Sequence, residues 1–101
     1  MLKYDEHGVR APVVIAKGSD ELAMHIRKIA TAHDVPLIPS PMLTRGIYYT
    51  TEVDEEIPHK LFMAVAQVLA YVFQLKKYKA GKAKRPKPLA RDLPIPPDMR
   101  Y

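Results

Sequence analysis

The stretch APVVIAKGSDELAMHIRKIATAHDVPLI, residues 11–38, decides the predicted fold class of this chain. Residues 11–16 are an apolar run rich in β-branched side chains, which is typical of a strand buried on both faces. Ser19 is a candidate N-cap, and apolar residues recur at helical spacing from Leu22 to Ala30. Residues 35–38 then predict a second buried strand. Strand, helix and strand in this order indicate parallel pairing, with the helix on one face of the sheet.

Two further helices are predicted after this unit. Ser40 and Pro41 have the residue types that open a helix, as cap and first helical residue. Pro58 begins the longest helix, which should extend to about Lys79 because its apolar residues follow a 3–4 spacing. The sequence therefore predicts an α/β domain over residues 1–79, a small and mostly parallel sheet flanked by helices.

The first strand of this domain looks truncated, because only Leu2–Tyr4 resembles the end of an extended segment. A shortened strand would leave residues 13–16 with an unpaired edge, and exposed edges template association. We therefore expect a peptide that carries the missing strand to bind this edge and raise the melting temperature.

The positive charge is concentrated at the end of the sequence. Residues 76–101 hold nine Lys/Arg against two Asp, and five of the ten prolines lie there. A Lys/Pro-rich segment with few large apolar residues should gain too little from burial to offset its ordering entropy. We expect residues 80–101 to be a disordered, basic, proline-rich tail, whose removal changes the free energy of unfolding by less than about 1 kcal/mol.

Composition and spacing argue against enzyme, cofactor and metal chemistry. The chain has no cysteine, which excludes disulfides, thiolate metal sites and cysteine nucleophiles. His25 and His33 are too far apart on a helix to chelate a metal as an i,i+4 pair. Ser19 and Ser40 occupy capping positions, and the four glycines form no phosphate-binding loop. We expect no catalytic residue, no cofactor and no metal.

The basic residues support a second hypothesis, a small basic nucleic-acid-binding protein. The Lys/Arg cluster would neutralise phosphates without reading a sequence. No aromatic residue lies between Tyr78 and Tyr101, so no stacking platform accompanies the charge and no specific nucleic acid is expected. The same cluster could contact an anionic membrane surface. Nucleic-acid binding that disappears at moderate salt would reflect the charge alone.

The order of motifs resembles the cytoplasmic domain of the FlhB/YscU family, the export-switch proteins of bacterial flagella and type III secretion systems. The similarity covers residues 2–79 and rests on Lys17-Gly18, Val35-Pro36, Ile57-Pro58 and the stretch AVAQVLAYV, residues 64–72. Gln74-Leu75-Lys76, followed by a proline-rich segment, is similar to the flagellar branch in particular.

The resemblance implies a non-catalytic docking platform at the cytoplasmic face of the inner membrane, at the flagellar base. Such a platform takes part in the switch of export substrates from hook to filament. The implied partners are early rod and hook substrates, the hook-length control protein and other export-gate subunits. By the aligned motifs, the docking patch for early substrates would comprise Ala11, Pro12, Ala66 and Leu69. Without the resemblance these four would be interpreted as ordinary core, although Ala11 and Pro12 should lie at the exposed start of a strand.

One family feature is missing from this sequence. Family members cleave themselves at an Asn-Pro-Thr-His site by cyclisation of the Asn side chain, and the two pieces stay paired. This chain contains no asparagine, so self-cleavage is not expected within it. Two interpretations stay open: a fragment, for which the N-terminal cleaved piece would be a partner, and a stand-alone paralogue.

Overall fold

A computed structural model describes residues 1–4, 11–82, 84–89 and 93–101. Within these ranges the chain forms two short strands and three α-helices: β1 (Leu2–Lys3), β2 (Val13–Val14), α1 (Asp20–Ala32), α2 (Pro41–Thr50) and α3 (Phe62–Lys79). Single 3₁₀ turns precede α3 at His59–Leu61 and follow the proline-rich segment at Pro97–Met99. The sequence predicts all three helices and the end of α3, but α3 begins at Phe62, four residues after the predicted start at Pro58.

The sheet is antiparallel, so the predicted parallel pairing is wrong. β1 pairs with β2 in antiparallel register. On the other side of β2, the Val14 amide donates to the Glu55 carbonyl (2.9 Å) and the Ile57 amide donates to the Pro12 carbonyl (3.0 Å). β2 is therefore the central element, between β1 and residues 54–57. The unpaired edge predicted along residues 13–16 is not present.

Residues 35–38 do not form the predicted second strand. The Val35 amide donates to the Ala30 carbonyl (2.8 Å), closing the end of α1, and Asp34 adopts a φ of 57° to allow this cap. The next residue, Pro36, has no amide hydrogen. Two successive residues therefore have no donor for a sheet, and the side chains of Val35 and Leu37 remain 41% and 47% exposed.

The helix α1 lies at the periphery of the molecule. Of its predicted apolar face only Ala30 is buried, whereas Leu22 and Ile29 are 54% and 44% exposed. The apolar spacing thus predicts the helix correctly but overstates how much of it is covered.

The hydrophobic core is formed by α2, α3 and the segments on either side of them. Its buried members are Leu43, Ile57, Leu61, Ala64, Val65, Leu93, Ile95 and Met99. The last three belong to the tail that the composition predicts to be disordered, and for residues 93–101 that prediction is wrong. The Ile95 amide donates to the Leu93 carbonyl (2.8 Å), which makes a tight γ-turn around Pro94, and the residues on both sides of this turn are buried in the core.

Polar and aromatic contacts also fix residues 93–101 on the rest of the chain. Lys60 donates a hydrogen bond to Asp98 across the surface, and this bond lowers the pKa of the Asp98 carboxyl below its ordinary value. The ring of Tyr101 lies 5.2 Å from the ring of Tyr49, measured between centroids. Ordered contacts thus extend to the last residue of the chain.

Residues 93–101 return to the core, and we call them the returning segment. Gly46 gives this segment room to approach α2. A Cβ atom at this position would lie 3.0 Å from the carbonyl oxygen of Met99 and 3.7 Å from the side chain of Leu61. Glycine in a helix interior costs about 0.5–1 kcal/mol relative to alanine. The close backbone approach explains why α2 carries a glycine at a buried position.

Lys17 joins the end of β2 to the end of α2. Its ammonium donates to the carbonyl oxygens of Tyr48 (3.0 Å) and Thr51 (2.9 Å). Carbonyl groups at the end of a helix have no amide partner within the helix, and Lys17 supplies the missing donor. The same nitrogen lies 3.4 Å from the carboxylate of Glu52 and 5.2 Å from the centroid of the Tyr48 ring. A cation at a helix C-terminus also interacts favourably with the negative end of the helix dipole.

We expect Lys17→Met to lower the free energy of unfolding by about 1–3 kcal/mol, since it removes two charge-assisted hydrogen bonds and keeps the length of the side chain. Urea denaturation followed by circular dichroism measures this loss. Lys28→Met is the matched control, because Lys28 is exposed on α1, and it should leave the midpoint nearly unchanged. Equal midpoints for the two variants would contradict the capping role of Lys17.

Candidate docking groove

The four residues predicted as a docking patch line one groove. Its volume is about 520 Å³, and its walls are formed by Tyr4, Ala11, Pro12, Glu56, Ile57, His59, Phe62, Val65, Ala66 and Leu69. The structure therefore brings Ala11 and Pro12 next to Ala66 and Leu69, although more than fifty residues separate the two pairs.

One wall of the groove is a face of α3. Phe62, Val65, Ala66 and Leu69 follow the spacing i, i+3, i+4 and i+7, which places them on one side of a helix over two turns. Ala66 is exposed, while Phe62 and Leu69 are half-buried. Because alanine is small, this face is hollow at its centre and the groove can open there.

The opposite wall is formed by residues 11–12 and 56–57. The hydrogen bond from the Ile57 amide to the Pro12 carbonyl joins these two segments. Ala11 is half-buried, whereas Pro12 and Ile57 are buried. The expectation that Pro12 lies at an exposed strand start is thus wrong, and this residue belongs to the floor of the groove. Val65, which is 2% exposed, completes the floor from α3.

The rim of the groove carries the polar groups. The imidazole of His59 stacks on the ring of Phe62 with 4.6 Å between centroids. Tyr4, 39% exposed, lies with its ring centroid 6.3 Å from that of Phe73, and the exposed Glu56 borders the same opening. The groove therefore combines an apolar floor with a rim that can donate and accept hydrogen bonds.

Sequence reasoning missed six of the groove residues: Tyr4, Glu56, Ile57, His59, Phe62 and Val65. The helical spacing of Phe62 with Ala66 and Leu69 could have identified Phe62 as a groove residue. Tyr4, Glu56 and His59 carry no such local signal, because only the tertiary fold brings them to the groove.

The groove shares two features with ligand sites. Ligand sites are typically apolar hollows with a few convergent polar groups, and this volume suits one or two large apolar side chains of a peptide. In the described part of the chain, no group of three or more His, Asp or Glu residues lies close enough together to hold a metal ion. Nor is any described helix both long and apolar enough to cross a membrane.

Comparison with known proteins identifies relatives of the whole chain. The model of the FlhB HrpN YscU SpaS family matches residues 1–72. The flagellar biosynthetic protein FlhB of Salmonella typhimurium is 43% identical over 100 residues, which cover 99% of this chain and 26% of that protein. The protein of the same name from Bacillus subtilis is 45% identical over 76 residues, 75% of this chain and 21% of that protein. The chain thus spans about a quarter of the length of these relatives.

Two solved structures have the same fold. The crystal structure of the cytoplasmic domain of FlhB from Shewanella putrefaciens superimposes with a TM-score of 0.93 at 48% sequence identity, covering 99% of this chain and 78% of that one. The PscU C-terminal domain superimposes with a TM-score of 0.67 at 31% identity, covering 70% of this chain and 90% of that one. The Shewanella match extends over nearly the whole chain, and therefore over residues 93–101 as well as the three helices.

Proposed function

This chain belongs to the FlhB HrpN YscU SpaS family, and from that membership we propose that it is a non-catalytic component of the flagellar type III protein export apparatus. The flagellar assignment is supported by relatives from several bacteria that carry the name flagellar biosynthetic protein FlhB. In this proposal the chain docks early rod and hook substrates and takes part in the switch from hook to filament export.

The groove is the proposed docking site, and its geometry is the observation that supports this function. A peptide with an exposed apolar side chain could bury that side chain against Val65 and Ile57, between Ala11 and Ala66. Burial of one large apolar side chain contributes about 1.5–3 kcal/mol, less than the roughly 4 kcal/mol of a millimolar complex, so contacts with the polar rim must add to it. A transient contact suits a platform that must release each substrate before it binds the next.

The proposed partners other than early substrates are the hook-length control protein, the other export-gate subunits and, where one is present, an N-terminal cleaved fragment of the same protein. The proposed location is the cytoplasmic face of the inner membrane at the flagellar base. The name of the Shewanella relative, a cytoplasmic domain of FlhB, supports this location.

The test is to place a charge in the groove. Ala66→Asp and Ala11→Asp should each lower the affinity for a synthetic rod- or hook-protein export-signal peptide about tenfold or more, since an unpaired carboxylate would face the apolar ligand. Fluorescence anisotropy with a labelled peptide measures the affinity, and circular dichroism checks the fold.

Ala32→Asp is the matched control, because it introduces the same charge at an exposed position on α1 that does not line the groove. The control should bind the peptide as the unmodified chain does. If both groove variants remain folded and bind with unchanged affinity, substrates dock elsewhere.

A further inference from the structure

A long part of the sequence contains no acidic residue. No Asp or Glu occurs between Ile57 and Arg91, and seven basic residues fall between positions 76 and 87: Lys76, Lys77, Lys79, Lys82, Lys84, Arg85 and Lys87. We call residues 76–87 the basic segment. It is distinct from the docking groove, which shares no residue with it.

The structure anchors the basic segment at its start. The helix α3 ends with the Lys82 amide donating to the Lys77 carbonyl (2.9 Å) and the Gly81 amide donating to the Tyr78 carbonyl (3.0 Å). Gly81 has a φ of 75°, the left-handed conformation that this helix ending requires. The first three lysines of the segment are thus held on the last turn of the helix.

The segment is also anchored beyond its end, because Leu93 and Ile95 are buried in the core. The chain is therefore held on the domain at Lys82 and again at Leu93, two positions that bracket Lys84, Arg85 and Lys87 in the sequence. The seven basic residues fall within twelve positions of the sequence and begin on the last turn of α3.

All seven basic side chains are exposed, and within the described residues none of them takes part in an ion pair. Tyr78, 42% exposed, lies among them. Tyrosine combines an apolar ring with a polar tip, a combination that suits the boundary between water and an apolar phase.

We propose that the basic segment binds the surface of a lipid bilayer that contains anionic headgroups. Clusters of four to eight Lys/Arg are typical of such binding, which needs no directional contact. Six of the seven side chains are lysines, which act as point charges and lack the planar fork with which arginine recognises phosphates and bases. Binding of single-stranded nucleic acid typically uses several aromatic rings for stacking, whereas the basic segment contains one, Tyr78.

The groove residues on α3 lie nearer the start of the helix than the basic segment does, although Tyr4 on the groove rim reaches Phe73. From Ala66 to Lys76 the helix rises about 15 Å at 1.5 Å per residue. A chain bound to a bilayer through the basic segment would therefore hold the groove away from the headgroups, open to a peptide in solution. Lipid binding and peptide docking should be compatible.

The proposal is tested with the full chain and two variants that lose the same number of charges. One removes four charges from the basic segment (K82Q, K84Q, R85Q and K87Q), and the other removes four exposed charges from other parts of the molecule (K3Q, R27Q, K28Q and R45Q). Sedimentation with vesicles of phosphatidylcholine, with and without phosphatidylglycerol, measures binding at low and at physiological ionic strength. Thermal melting checks that both variants fold.

We expect the unmodified chain and the second variant to sediment with the phosphatidylglycerol vesicles and not with pure phosphatidylcholine. The affinity of the first variant for these vesicles should fall about tenfold or further, because each basic residue near an anionic surface contributes to binding. An equal loss in both variants would show that only net charge matters and would overturn the proposal. Tighter binding to a single-stranded or duplex oligonucleotide than to the vesicles, at the same ionic strength, would overturn it in favour of a nucleic acid.

Discussion

A chain that ends at Lys79 should be largely unfolded at room temperature. Truncation there removes Leu93, Ile95 and Met99, which are 5%, 4% and 8% exposed in the intact chain. Burial of each such side chain contributes about 1.5–3 kcal/mol, so the three together approach the whole stability of a small domain, about 5–15 kcal/mol. The measurement is urea denaturation of the truncated and intact chains, followed by circular dichroism. This expectation replaces the small effect that the composition of the tail predicts.

A pair of point variants separates the buried side chains from the rest of the tail. Ile95→Asp places a charge in the core and should reproduce most of the loss of stability caused by truncation. Pro94→Asp introduces the same residue at the adjacent exposed position and should have little effect. A truncated chain that keeps the denaturation midpoint of the intact one would show that residues 93–101 add nothing to the core.

Leu61→Ala should give the largest loss of any substitution to alanine in the chain, about 2–5 kcal/mol. Leu61 is 0% exposed and belongs to the core that α2, α3 and the returning segment share. Truncation to alanine loses the transfer free energy of the side chain and leaves a cavity that the surrounding elements can fill only in part. Equilibrium denaturation in urea gives the change in unfolding free energy.

The matched control for Leu61 is the nearby Met63→Ala. Met63 is 66% exposed, so its truncation should change the unfolding free energy by no more than about 0.5 kcal/mol. Similar losses in the two variants would mean that Leu61 is not at the centre of the core.

Local signals in the sequence predicted the helices and the family. Ser19, the Ser40-Pro41 pair and the 3–4 spacing after Pro58 depend on residues close together in sequence, and all three predicted helices form, the third after a 3₁₀ turn at His59–Leu61. The family resemblance rests on short motifs in a fixed order and is confirmed by the comparisons.

Pairing between distant segments was not predictable in the same way. The apolar run at residues 11–16 indicates burial but does not specify a neighbour, and its second partner is an acidic segment around Glu55 and Glu56. The average composition of residues 80–101 predicts disorder. The position of the returning segment is instead decided by three apolar side chains, those of Leu93, Ile95 and Met99. Only the tertiary fold shows that Gly46 leaves room for the backbone at Met99.

The candidate site was predicted in part. Ala11, Pro12, Ala66 and Leu69 came from the resemblance, and the structure places them in one groove. The residues alone would have assigned all four to the core, which describes Pro12 correctly. Their role in docking stays a prediction until groove variants are measured.

The arrangement of the core also sets the order of events while the chain is being made. Leu43 leaves the ribosome roughly 55 residues before Met99, an interval of about 3–11 s at typical synthesis rates of about 5–20 residues per second. Once Lys79 has emerged, α2 and α3 can form, but Leu61 and Val65 have no complete core to enter until Met99 follows. The nascent chain therefore passes through a stage with exposed apolar surface, when chaperones have their best opportunity to bind it and aggregation is most probable.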